Sequence, residues 1–171
     1  MAIGKWRCSI GPFAEGIMKT LATQLKIDFL QAAKLAGLNV RDQDISYEIL
    51  PAPHRPPTHL PAGKFGVYVF IYKEQCLKVG KVGPKSKARY TSQHYSPDSS
   101  PSNLAKSILA NSSILGLERL DKTTVGDWIK QETHRINFLM DSSLGISTLS
   151  FLEIFIQCRL NPMYEGFDSQ K

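Results

Sequence analysis

The stretch from Lys64 to Tyr90, KFGVYVFIYKEQCLKVGKVGPKSKARY, constrains the fold more than any other part of the chain. Two short apolar runs, Gly66 to Tyr72 and Cys76 to Gly80, flank the polar tripeptide Lys73-Glu74-Gln75, and Val, Tyr and Phe dominate the first run. Branched and aromatic side chains suit a pleated, half-buried surface, so the pattern predicts a β-hairpin. The second run leads into Gly80 to Arg89, rich in Gly, Lys and Arg, where Pro84 suits the first turn of a helix because its missing N–H is not needed there. A basic helix is therefore expected beside the two strands.

Before the hairpin, Ile17, Leu21, Leu25, Phe29, Ala32 and Ala36 recur at near-helical spacing, which predicts a helix from about Ala14 to Ala36 closed by Gly37. A break near Lys26 would give a helix-turn-helix-like pair able to touch DNA, but a turn glycine is lacking and a packing helix is expected. Asp44 to Leu50 alternates polar and apolar residues, as a short strand or edge segment does. Five prolines between Pro51 and Pro61 forbid both a helix and a central strand, so this part reads as an extended connector. His54 and His59 lie in it without a carboxylate or cysteine nearby in sequence, and read as loop histidines rather than metal ligands.

After the hairpin, the basic helix is expected to run on through His94 and Tyr95 until the turn-rich Ser96 to Ser102 ends it. Ser102 is expected to cap a helix from Asn103 to about Ala110, and Thr124 a short helix carrying Trp128 and Ile129. Arg135 to Met140 reads as the third strand of a small sheet. A last helix begins near Ser147, packs through Leu149, Leu152, Ile156 and Leu160, and ends at Pro162. Glu153 lies beside that stripe, where a carboxylate needs a partner, hydrogen bonds or a metal.

With 171 residues and 42% apolar content, the chain is expected to be one domain with an elaboration. No apolar run approaches the ~20 residues that cross a bilayer, and the first residues lack the apolar core of a signal peptide, so a cytoplasmic protein without membrane contact is expected. Cys8, Cys76 and Cys158 are odd in number and far apart, which indicates reduced, mostly buried thiols. Lysine and arginine number 21 against 15 acidic residues, a formal charge of +6 that favours a polyanionic partner. Lys78, Lys81, Lys85, Lys87 and Arg89 concentrate this charge after the hairpin turn.

Gly66-Val67-Tyr68, then Lys78-Val79-Gly80-Lys81, then Arg89 resemble the signature of the GIY-YIG nucleases, with Lys78 where the family usually has its second tyrosine. Leu152-Glu153 followed by Asn161-Pro162-Met163-Tyr164 resembles that family's terminal motif, a metal-binding Glu on a helix that ends in a proline and an aromatic residue. The likeness spans Lys64 to Gly166. It implies an α/β (α+β) fold, with a small three-stranded, mostly antiparallel sheet flanked by helices over residues 61–171. Residues 1–60 would form an N-terminal helical extension and the Pro-rich connector.

The resemblance also implies chemistry. Glu153 would bind one magnesium ion per site, with manganese a substitute, since magnesium suits one carboxylate plus waters and a phosphate oxygen. Tyr68 would act as general base or position the attacking water, and Lys78 would lower its pKa or orient the water. Arg89 would grip the scissile phosphate, and His94 would hydrogen-bond the nucleophile or phosphate. Lys81, Lys85 and Lys87 would contact DNA phosphates, which gives affinity without sequence reading.

Lysine at position 78 resembles the restriction-endonuclease branch, whereas Glu165 stands where the terminal motif commonly has Asn. The implied function is metal-dependent hydrolysis of DNA phosphodiesters, in a restriction-type, sequence-specific role. The alternatives are a structure-selective repair or mobile-element nuclease, and a nucleic-acid-binding module without catalysis. One site per chain means that cutting both strands needs a homodimer or sequential encounters.

Overall fold

A computed structural model describes residues 12–83 and 86–164 of the chain. The expectations placed on Cys8, Pro84, Lys85 and Glu165 lie outside these residues. The described elements are helices α1 (Pro12–Leu35), α2 (Lys87–Thr91), α3 (Leu104–Ala110), α4 (Val125–Glu132) and α5 (Gly145–Leu160), with strands β1 (Ile45–Leu50), β2 (Lys64–Tyr72), β3 (Gln75–Val82) and β4 (His134–Asp141).

The expected hairpin is β2 and β3, turned at Lys73, which adopts a positive φ of 52°. The expectation of three strands is corrected to four. The sheet is antiparallel throughout in the order β1-β4-β2-β3, and Ile45–Leu50 joins it through β4, not through the hairpin. The reason lies in β4. Its residues His134 to Met140 are all buried, so an open edge would leave desolvated backbone groups unpaired, and β1 satisfies them on the side away from β2.

Alternation along the strands separates two cores. Val67, Val69 and Ile71 with Ile136, Phe138 and Met140 pack against Leu25 and Phe29 of α1 and Leu149, Leu152 and Ile156 of α5. Tyr68, Phe70 and Leu139 on the other face pack against Tyr90, Leu104, Ile108, Val125 and Ile129. Two cross-strand rows line this second face: Glu48, Asn137, Tyr68 and Gly80 in one, Leu50, Arg135, Phe70 and Lys78 in the next.

α1 runs unbroken through Lys26, so no helix-turn-helix pair forms. It closes at Gly37, whose φ of +76° lets its own N–H reach the Lys34 carbonyl and the Leu38 N–H reach Ala33. The basic helix is shorter than expected. α2 ends at Thr91, and His94 and Tyr95 form a separate 3-10 turn. Asn103, not Ser102, caps α3, its side chain accepting from the Lys106 N–H at 2.8 Å. Before α4, Asp121 rather than Thr124 takes the free N–H groups: its Oδ1 accepts from the backbone of Thr123 and Thr124.

Cys76 is buried but Cys158 is exposed, against the expectation for the thiols. Ser142–Leu160 reaches a mean hydropathy of 1.2 over a length that could cross a bilayer. Its apolar content is used here to pack Leu149, Leu152 and Ile156 on the sheet. Phe29 is the hub of the α1 packing, fully buried with its ring 5.4 Å from Phe151 and 5.7 Å from Phe155. Phe29→Ala is expected to destabilise the chain by about 3–5 kcal/mol in urea unfolding while keeping one transition. A separate early transition, or a loss under about 1 kcal/mol, would show that α1 is not part of the same cooperative unit.

Candidate active site at the open edge of the sheet

Among the described residues β3 has β2 as its one strand partner, so its other edge carries outward backbone groups. Two segments meet that edge. Met163 and Tyr164 donate their N–H groups to the Cys76 and Leu77 carbonyls at 2.9 and 2.8 Å. Further along, Glu153 on α5 accepts from the Lys81 backbone N–H at 2.9 Å through Oε1 and from the Lys81 ammonium at 2.7 Å through Oε2. Ser150 Oγ accepts from the same ammonium at 3.1 Å. The carboxylate that the sequence singles out is thus partnered, and Lys81, expected to meet DNA, is engaged in holding it.

Tyr68 approaches this edge from the opposite face. It stands beside Gly80 in the register, and its phenol oxygen occupies the space where a side chain at residue 80 would begin. The missing Cβ is therefore what lets the ring cross β3. Tyr68 is 2% exposed, and its hydroxyl is held above the ordinary phenol range, first by burial. Arg89 pulls it down, Glu153 pushes it up and Arg135 pulls it down, in that order of strength, and burial prevails. Arg89 and Glu153 thus both act on the Tyr68 hydroxyl electrostatically. Arg89 and Lys87 lie exposed on α2.

Lys78 goes elsewhere. It is buried opposite Phe70, two residues along β3 from Gly80, and its ammonium donates to the Tyr164 carbonyl at 3.4 Å. It acts electrostatically on His94, while the cations acting on Tyr68 are Arg89 and Arg135. Arg89 and Arg135 are the cations that pull the Tyr68 hydroxyl down.

His94 is buried, its ring 4.4 Å from that of Tyr68 and 5.3 Å from that of Phe70. Its Nδ1 accepts from the Leu104 N–H at 3.3 Å, which puts the ring proton on Nε2, a buried donor that meets no acceptor. Burial, with Arg135, Lys78 and Arg89 adding to it, holds His94 well below the ordinary imidazole range, so the ring is neutral at pH 7.

Sequence reasoning missed Arg135. It is 0% exposed, and its guanidinium donates from Nε to Asn137 at 2.8 Å, from Nη1 to the Tyr95 hydroxyl at 3.1 Å and from Nη2 to the Tyr90 carbonyl at 2.7 Å. It also lies 5.0 Å from the Tyr90 ring, 5.1 Å from Phe70 and 5.7 Å from Tyr68. Glu48 joins the group from β1, accepting from the Tyr90 hydroxyl at 2.9 Å and more weakly from Asn137 at 3.4 Å. A signal existed: in Arg135-Ile-Asn-Phe-Leu-Met140 the polar side chains Arg135 and Asn137 alternate with Ile136 and Phe138, so both fall on one face of a buried strand.

Among the described residues, no three His, Cys, Asp or Glu side chains gather into a ligand set. Glu153 is a single carboxylate with both oxygens bonded to Lys81, so it does not form a cage of protein ligands, and an ion there would have to share Oε2 with the Lys81 ammonium or displace it. Protein-family models, curated proteins and solved structures give no match to this chain.

Gly80 and Gly66 test the geometry against each other. A methyl at Gly80 collides with the Tyr68 phenol, whereas one at Gly66 meets Leu60 Cδ1 at an ordinary 3.5 Å. Gly80→Ala is expected to destabilise the fold by about 1–3 kcal/mol in urea titration as the ring is displaced. Gly66→Ala is expected to be neutral within about 1 kcal/mol. Equal effects would mean that the phenol does not depend on the gap at residue 80.

Proposed function

We propose that this chain is a metal-dependent DNA endonuclease of the GIY-YIG type, hydrolysing phosphodiester bonds. The observation that carries the reading is that the Tyr68 phenol lies against Gly80 while Glu153 is bonded to Lys81, the next residue of β3. The antiparallel sheet and its flanking helices are compatible with that fold family. The charge of +6 supports a nucleic-acid partner.

In this reading Glu153 holds a magnesium or manganese ion, one per site, and the chemistry supplied by a bound ion is neutralisation of charge on the phosphate oxygens. Arg89, exposed on α2, grips the scissile phosphate with its planar fork. Tyr68 directs its hydroxyl at the attacking water, and its proton is retained at neutral pH unless more positive charge is brought near it. Lys87 adds phosphate contact from the same helix, and Lys81 orients the Glu153 carboxylate. The role we propose is restriction-type and sequence-specific, for which the lysine at position 78 is the supporting residue. Two chains acting together would then cut both strands.

Purified protein is expected to cut duplex DNA with magnesium, and Glu153→Ala to lower kcat by at least about 10³-fold. Uncut DNA with the wild type, or undiminished cutting by the variant, would refute the reading. The pH profile separates the two roles of Tyr68. A phenol held above its ordinary value is protonated at neutral pH, and its phenolate fraction grows tenfold per pH unit. If that phenolate is the base, log kcat climbs with a slope of about one between about pH 6 and 9, and Tyr68→Phe removes the slope. A flat wild-type profile assigns Tyr68 to orienting the water.

A further inference from the structure

We propose that Arg135 is a positioning residue of this site, fixing Arg89 and His94 by clamping the main-chain segment between them at both ends. The proposal rests on the nuclease reading for its kinetic consequence, and on geometry alone for its structural one.

The geometry starts from the weakness of that segment. α2 has five residues and the next turn three, too few for either to hold its own shape. Arg135 bonds to both. Nη2 donates to the carbonyl of Tyr90, the residue after Arg89, and Nη1 donates to the hydroxyl of Tyr95, the residue after His94. Nε donates to Asn137 on the same strand, which directs the fork. Each edge of one planar group thus meets a different part of the structure, an arrangement that lysine or methionine cannot reproduce.

The second clamp is locked in turn. His54, in the proline-rich connector, contacts the Thr133 carbonyl through Nδ1 at 2.8 Å and Tyr95 through Nε2 at 2.9 Å. Burial lowers the His54 pKa to about 4, so the neutral ring donates at Nδ1 and accepts the Tyr95 hydroxyl proton at Nε2. The Tyr95 oxygen is then left to accept from Arg135. Among the described residues no ion pair to Arg135 is formed, and Glu48 meets it through Asn137 and Tyr90. A buried guanidinium partnered by a carbonyl, a hydroxyl and an amide is expensive as packing, since an apolar side chain would fill the volume without desolvating a charge. Its distinctive property is directional donation to the segment that carries Arg89 and His94.

The test uses the full chain with Arg135→Met and Arg135→Lys, thermal melts, cleavage kinetics on duplex DNA with magnesium, and ¹H–¹⁵N spectra of the histidine rings. Arg135→Met is expected to remain folded and lose about 10²-fold in kcat, with KM changed less than about threefold, because a misplaced group costs turnover more than binding. Arg135→Lys, which keeps the charge and part of the donation, is expected to recover part of that loss. The wild-type His94 ring is expected to carry its proton on Nε2 with Nδ1 accepting, a signature that Arg135→Met loses. Wild-type kcat and an unchanged His94 signal in a folded Arg135→Met would overturn the proposal, as would a fall in kcat matched by an equal rise in KM. Should Arg135→Met not fold, Arg135→Lys decides: wild-type kcat and His94 signal in it also overturn the clamp. If the wild type cuts no DNA, the nuclease reading fails, and the ring spectra decide Arg135 by themselves.

Discussion

A guanidinium cannot shed its charge to enter a protein core, so burying one obliges the surroundings to supply acceptors in its plane. Arg135 imposes that obligation on the centre of the sheet. Its carbonyl, hydroxyl and amide partners come from Tyr90, Tyr95 and Asn137, and the faces of Phe70 and Tyr90 lie about 5 Å from its charge. The second core therefore differs in kind from the first. One face of the sheet packs apolar and aromatic side chains against α1 and α5, and the other adds to its apolar packing directional bonds that fix where a short, weak segment lies. Precision at the candidate site follows from the second kind of packing.

The open edge of β3 is where this packing meets groups from α5 and the chain beyond it. An edge strand normally needs its outward backbone groups covered. Here the Met163–Tyr164 segment covers one part and the Glu153 carboxylate another, so the proposed metal ligand is also an edge cap. Glu153 comes from the α5 side and bonds Lys81, while Tyr68 comes from the opposite face and lies against Gly80, where the missing side chain leaves room for its phenol. The glycine at residue 80 acts here through steric space, not through an unusual φ. That distinguishes it from Gly37, which is needed for its positive φ at the end of α1.

How much of this was legible depended on how local the determinant was. The hairpin, α1, α5 and the β4 segment are encoded by apolar periodicity within single elements, and the expected boundaries fall within a few residues of the observed ones. The fourth strand was legible as an alternating segment, but its place was not, because pairing with β4 joins residues about ninety positions apart. The same holds for the site. Tyr68, Arg89 and Glu153 stand out by residue type, whereas the place of Lys78 depends on the register of the sheet. Adjacent strands alone suggested that it met Tyr68; the register sets it opposite Phe70. Arg135 was passed over because an arginine at a strand start is usually solvated, and only the neighbouring strands and helices make it central.

The two arginines near Tyr68 act in different media, which bears on how the phenol could work. Arg89 is exposed, so water and salt screen its pull but leave it open to a phosphate; Arg135 is desolvated and already committed to the protein. Together they fail to offset burial, and the Tyr68 proton stays on. An incoming phosphate adds negative charge and engages Arg89, so substrate alone would hold that proton more tightly still. Loss of the proton therefore calls for further positive charge at the open edge, and Glu153 is the acidic group coupled to the phenol there. On this reasoning the proposed metal dependence and the proposed base role of Tyr68 are one requirement: without a cation at the carboxylate, the phenol can orient water but cannot take its proton.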